Sequence, residues 1–107
     1  MPAPSTTSDQ SLRKLCQLCH VLSDKKRLRI VLMLAEGGHT VTAICEALNV
    51  AQPLVSHHLG LLRMNGVIIP QRQGKKVIYT LDPAVGKISG GKLKLAMPPF
   101  GVVIEGF

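Results

Sequence analysis

The sequence is poor in aromatic and acidic residues and has no long apolar run. Of its 107 residues only three are aromatic, none of them Trp, and six Asp and Glu stand against 13 Lys and Arg, a net charge of +7. The longest uncharged apolar runs, such as residues 30–35, fall far short of the roughly 20 residues that cross a bilayer, so no membrane span is expected. The length predicts one small domain with a single core and excludes a two-lobed enzyme.

Cysteine is also scarce. Three cysteines, two of them close together, do not make a disulfide framework and indicate reduced thiols. Residues 1–10 lack the basic and apolar regions of a secretory signal, so we expect a cytoplasmic protein. These ten residues are rich in Pro, Ser and Thr and predict a disordered lead.

Apolar residues recur at helical spacing from residue 12 onwards. The first helix is predicted to end near Leu22, and its stripe is wide enough to contact two surfaces. The stripe consists of Leu12, Leu15, Cys16, Leu18, Cys19, Val21 and Leu22. Ser23 or Asp24 can cap a second helix, which Gly37 and Gly38 end.

Two further helices follow closely on each other. Thr40 is a candidate N-cap for a short third helix, and Asn49 provides a left-handed exit from it. Pro53 suits the first turn of a fourth helix, which Asn65 and Gly66 end. Two helices joined by about three residues are typical of a helix-turn-helix.

The remainder of the chain favours β-structure. Residues 67–72 and 76–81 read as two strands linked by Gln73-Gly74-Lys75, a hairpin with a basic tip. In residues 84–107, apolar and polar positions alternate from Lys92 onwards, which predicts a second hairpin. We expect its apolar face to rest on the first helix of its own or of a partner subunit; the alternative is an unstructured basic tail.

The fourth helix predicts a surface that binds nucleic acid. With Val55, Leu59 and Leu62 facing inward, its other side presents hydrogen-bonding groups suited to base edges in a major groove, and Leu54 could meet a thymine methyl. His58 borders the buried face, as a packed histidine or a phosphate contact. The candidate DNA-binding residues are Gln52, Leu54, Ser56, His57, His58 and Arg63 on this helix, and Arg72, Lys75 and Lys76 in the basic hairpin, which would form the wing of a winged helix.

Three segments together resemble the ArsR/SmtB family of bacterial winged-helix repressors. The segment 22–30, LSDKKRLRI, is similar to the family's entry to its second helix, and 51–59, AQPLVSHHL, to its recognition helix. The wing, 72–79, also matches. Two departures weaken the match: the usual serine cap is Ala51, and a position often basic in relatives is Gly60.

The resemblance implies an α+β winged-helix domain over residues 11–83. The alternating pattern, in place of the long last helix usual in the family, predicts a β-type extension over 84–107 with a role in dimerisation. The resemblance also implies a homodimeric regulator, more often a repressor, that places helix 52–64 in the major groove and wing 72–76 on phosphates of double-stranded DNA. The competing hypothesis is a winged helix that binds protein, with its basic groups serving only solubility.

The cysteines leave a sensing function open. Cys16, Cys19 and His20 have the spacing of a c-type haem motif, which a cytoplasmic location disfavours, and they could instead serve a metal or redox sensor. The default expectation is that both thiols pack in the core. The family's metal-binding cysteines in its third helix correspond to Thr40 and Thr42, and Cys45 has no obvious partner, so we expect no metal and no cofactor.

No arrangement of residues predicts catalysis. The six carboxylates are scattered, Ser56 lies in a helix rather than on a strained elbow, and no glycine-rich phosphate loop follows a strand. We therefore expect no enzymatic activity.

Overall fold

The structure is a computed structural model that describes residues 8–106, where four helices precede five strands. The elements are α1 (Asp9–Leu22), α2 (Lys25–Glu36), α3 (Val41–Leu48), α4 (Gln52–Met64), β1 (Ile68–Gln73), β2 (Lys76–Leu81), β3 (Gly86–Ser89), β4 (Lys92–Met97) and β5 (Phe100–Glu105). This order confirms the predicted α+β winged helix. None of the helices in the described range is long and apolar enough to cross a membrane.

Helix α1 begins earlier than the sequence predicted. The Ser8 hydroxyl accepts the backbone N–H of Ser11 at 3.0 Å, and Asp9 lies in the first turn, where the helix dipole favours a carboxylate. Residues 8–10 are therefore cap and helix rather than disordered lead. The rest of that predicted lead, residues 1–7, lies outside the described residues.

Only half of the wide apolar stripe on α1 faces the core. Leu18 and Val21 are buried, whereas Leu12 is 44% exposed and both Cys16 and Cys19 are exposed. Since residues 18 and 21 share the inward face, the helical repeat turns 16 and 19 away from it. The expectation that the two cysteines pack in the core is wrong for the protomer.

Side-chain caps begin the next two helices as predicted. The Asp24 carboxylate accepts the backbone N–H groups of Lys26 and Arg27 at 2.8 and 3.1 Å. Thr40 Oγ1 accepts the Ala43 N–H at 3.1 Å, and Asn49 ends α3 at a φ of 54°. These local bonds satisfy backbone donors that the helix ends leave free, and so fix where each helix begins.

The first two strands form the wing. β1 pairs antiparallel with β2, and Gln73 lies opposite Lys76 across a turn in which Gly74 has a φ of 63°. The backbones of His39 and Tyr79 exchange hydrogen bonds of 3.0 and 2.8 Å. These bonds join the wing to the loop before α3.

The last three strands form a second antiparallel sheet in the order β3-β4-β5. The predicted second hairpin is confirmed as β4 and β5, with Leu93 opposite Ile104. Strand β3 was missed because it has four residues and begins with Gly86, which reads as a breaker. A Cβ there would lie 2.6 Å from a Leu95 methyl, so glycine allows close packing.

One core joins the helices and both sheets. Leu93 and Leu95 of β4 are 0% and 1% exposed and belong to the same buried cluster as Ile30, Ile44 and Leu62. The apolar face of β4 thus rests on the helices of its own chain. Residues 84–106 therefore contribute to the core and are not an unstructured tail.

Candidate nucleic-acid interface

Helix α4 separates an apolar buried face from a polar exposed face. Val55, Leu59 and Leu62 are 0 to 3% exposed. The exposed residues include Gln52, Leu54, Ser56, His57, Gly60 and Arg63, together with Pro53 and Met64. All the candidate DNA-binding residues of α4 except His58 are therefore accessible.

The wing adds positive charge that forms no ion pair with a carboxylate of residues 8–106. Arg72, Lys75 and Lys76 are all exposed around the hairpin turn. The two side-chain ion pairs found in residues 8–106 lie elsewhere, between Arg13 and Asp9 and between Lys92 and Glu105. An accessible and unneutralised basic tip is suited to a polyanion such as a phosphate backbone.

His58 does not belong to this surface. It is 5% exposed, and its Nδ1 lies 3.3 Å from a terminal guanidinium nitrogen of Arg27 in α2. The prediction that His58 contacts DNA is wrong for this structure, because its position on the helix turns it inward beside Leu59. The packed histidine, the other interpretation of the sequence, is what the fold contains.

Arg27 makes contacts that the sequence did not predict. Along the chain it is one of four neighbouring basic residues, with Lys25, Lys26 and Arg29. In the fold it is half-buried, and its Nε donates to the backbone carbonyl of Val21 at 2.7 Å. Only the tertiary packing of α1, α2 and α4 reveals these contacts.

Two titratable groups near Arg27, the Asp24 carboxyl and the His58 imidazole, have a pKa that departs from the ordinary value. The Arg27 backbone N–H is the main cause that lowers the pKa of the Asp24 carboxyl, partly opposed by burial. Burial is the main cause that lowers the pKa of His58. Both shifts favour an ionised Asp24 and a neutral His58 around neutral pH.

Helix α4 has no side-chain cap at Ala51 and no side chain at Gly60. Ala51 has no side chain that can cap α4, and its backbone already has the extended conformation of a cap residue. A Cβ on Gly60 would meet nothing within 4 Å. Neither residue is therefore required by the packing of α4.

The sulfur and imidazole groups do not converge. Cys16, Cys19 and His20 are exposed on α1, and Cys45 is half-buried against the core. Within the described range, no group of three or more His, Cys, Asp or Glu side chains could hold a metal ion. The Thr40 hydroxyl is engaged in capping α3, and Thr42 is exposed.

Known proteins are similar to this chain in sequence. The family profile described as "Bacterial regulatory protein, arsR family" matches residues 24–69. The arsenical resistance operon repressor of Escherichia coli K12 is 46% identical over 70 residues, 64% of this chain and 60% of its own. The transcriptional repressor SdpR of Bacillus subtilis 168 is 36% identical over 64 residues, 60% of this chain and 71% of its own.

A solved structure adds the fold. The homodimeric winged helix-turn-helix DNA-binding domain of a possible ArsR-family transcriptional regulator from Mycobacterium bovis superposes with a TM-score of 0.63 at 27% identity. The superposition covers 70% of this chain and 72% of that domain. The present chain spans between 48% and 60% of the length of the first three curated relatives it matches.

Proposed function

Because the chain belongs to the ArsR family of bacterial regulatory proteins, we propose that it binds double-stranded DNA as a homodimer and regulates transcription, as a repressor. Helix α4 would enter the major groove and the wing would lie along the phosphates. On this proposal the protein acts in the cytoplasm, where a bacterial chromosome lies, and catalyses no reaction.

One observation carries the proposal. The exposed face of α4 offers hydrogen-bonding side chains at Gln52, Ser56 and His57, and the exposed wing tip offers only positive charge. The first set suits base edges and the second suits phosphates, which is the division of labour of a winged helix on DNA. A module that binds protein has no need for a wing of three free cations.

The exposed half of α1 supports the homodimer. Leu12, Cys16 and Cys19 form an apolar strip that the protomer leaves uncovered. The similar Mycobacterium bovis domain is homodimeric. A two-fold dimer presents two recognition helices to half-sites about one helical turn apart, and this symmetry compensates for the small surface of one protomer.

The experiment is a selection of duplexes from a random pool of about 30 base pairs, followed by a gel shift over a range of salt concentrations. We expect enrichment of one pseudo-palindromic sequence, and an affinity that falls steeply as salt rises. A random duplex of the same length is the control. Failure to enrich any sequence, with no shift of either duplex at low salt, would overturn the proposal and favour a protein-binding module.

A further inference from the structure

Arg27 joins three helices through one side chain. It lies in the first turn of α2, and its Nε donates to the Val21 carbonyl in the last turn of α1 at 2.7 Å. Its terminal nitrogen lies 3.3 Å from Nδ1 of His58 in the middle of α4. The planar guanidinium holds its donors in a fixed fork, so both contacts fix the position of α4 relative to α1 and α2.

The junction lies directly behind the exposed face of α4. His58 is 5% exposed, whereas its neighbours in the chain, His57 and Ser56, are exposed. A shift or rotation of α4 at residue 58 therefore displaces the side chains proposed to read DNA. The Asp24 carboxylate in turn holds the backbone N–H of Arg27 and so fixes where this side chain starts.

The chemistry of the contact permits one protonation state of the imidazole. A guanidinium has donors only and stays protonated at all ordinary pH values, so Nδ1 of His58 must accept and its proton must be on Nε2. With a second proton on Nδ1, two N–H donors on two positively charged groups would face each other, and no acceptor would be left between Arg27 and His58. The contact between Arg27 and His58 is lost when His58 is protonated.

We propose that Arg27 is a positioning residue for the recognition helix, which it ties to the C-terminal end of α1 through His58, and that the tie holds only while His58 is neutral. The inference rests on the proposed DNA binding. It goes beyond that function by naming a residue outside the DNA-facing surface that controls specificity. It also predicts that acid weakens sequence-specific binding.

The surrounding charges agree with this direction. Burial lowers the pKa of His58 most; Asp24 raises it, and Arg27, His57 and Lys26 lower it further. In the unfolded chain the pKa of this histidine is near 6.5. The junction therefore stabilises the fold fully above that value, and its contribution is lost as the pH falls below about 6.5 towards the lower pKa of the folded state.

The test measures a ratio of affinities. Wild-type protein and an Arg27→Lys variant are titrated with the duplex enriched from the random pool and with a random duplex of equal length. Lysine keeps the charge but cannot make both contacts, so we expect the ratio of the two affinities to fall about tenfold while the random duplex binds as before. Circular dichroism establishes that the variant is folded.

The pH readout separates a positioning role from a merely structural one. Between about pH 7.5 and 5.5 we expect the wild-type ratio to fall. A His58→Asn variant keeps an acceptor near the position of Nδ1 but does not titrate, so its ratio stays constant. In the matched control, His39→Asn, the ratio of affinities should fall with pH as it does in the wild type. Both variants keep His57, so a fall in the ratio that occurs in His39→Asn and is reduced in His58→Asn is assigned to His58.

A titration without DNA keeps the inference independent of the proposed function. Nuclear magnetic resonance of the imidazole protons, with His58 identified by its absence from His58→Asn, should show a pKa below that of a free histidine. Arg27→Met should raise that pKa, because it removes a positive neighbour. If no duplex is enriched, the proposed function fails and this titration still tests the tie. An unchanged ratio in folded Arg27→Lys, or an unchanged pKa in Arg27→Met, would overturn the inference.

Discussion

At the scale of the residue, Ala51 is the weak point of the recognition helix. Its extended backbone is that of a cap residue, but it offers no side-chain acceptor to α4. A serine there would accept the free N–H of the first turn, so Ala51→Ser should raise the free energy of unfolding by about 1 kcal/mol. Urea denaturation measures this change. Ala47→Ser, at an exposed helical position without a cap role, is the control, and an equal gain there would contradict the explanation.

The cysteines give a second prediction at this scale. Because the three thiols and His20 are not gathered into a set of metal ligands, folding should not require zinc. A chelator should leave the melting temperature unchanged. Since Cys16 and Cys19 are exposed in the protomer, replacing both with Ala should lower stability only through the dimer contact, and so in a concentration-dependent way. Stoichiometric zinc in protein purified without added metal would contradict this prediction.

At the scale of the element, helix ends were predictable because they are local. Asp24, Thr40 and Asn49 act on backbone groups two to four residues away, which a sequence displays directly. Helical periodicity also placed His58 at the border of the buried face, but its contact with Arg27 spans 31 positions of sequence, which no periodicity encodes. The exposure of Cys16 was missed for a similar reason, since an apolar stripe does not say which half of it the protomer covers.

Substitutions in α4 and in the wing should have different effects on DNA binding. Ser56→Ala or His57→Ala removes a hydrogen-bonding group of α4, and should weaken binding to the enriched duplex by about 1 to 3 kcal/mol per lost base contact while sparing a random duplex. Replacing Lys75 and Lys76 with Ala should weaken both duplexes alike and reduce the slope of affinity against salt. Full affinity of the wing variant at low salt would show that the wing does not touch phosphate.

At the scale of the whole molecule, the C-terminal sheet has become part of the fold. Truncation after Pro83 would remove Leu93 and Leu95 and uncover the core beneath them. Large-to-small changes at single core leucines cost about 2 to 5 kcal/mol, a large part of the stability of a small domain. The truncated chain should therefore fail to fold, as circular dichroism would show. A cooperative melting transition near that of the full chain would prove the sheet dispensable.

Because truncation is expected to unfold the chain, the dimer interface has to be tested with surface substitutions. Leu12 is 44% exposed on the uncovered half of α1, and Val103, 55% exposed, lies on the edge strand β5 of the C-terminal sheet. An edge strand without lysine or a bulge is open to a partner, so both surfaces suit a second copy. Lysine at either position should raise the dissociation constant of the dimer, because a charge in an apolar contact must be desolvated.

Leu54 gives the matched control for this last prediction. It is 37% exposed on α4, so Leu54→Lys adds the same charge to a similarly exposed leucine on the proposed DNA side. Sedimentation at several protein concentrations should find it as dimeric as the wild type, and find Leu12→Lys largely monomeric. Dissociation of Leu12→Lys alone would place the interface on α1 and leave the C-terminal sheet a purely structural role. Dissociation of Val103→Lys as well would assign part of the interface to β5.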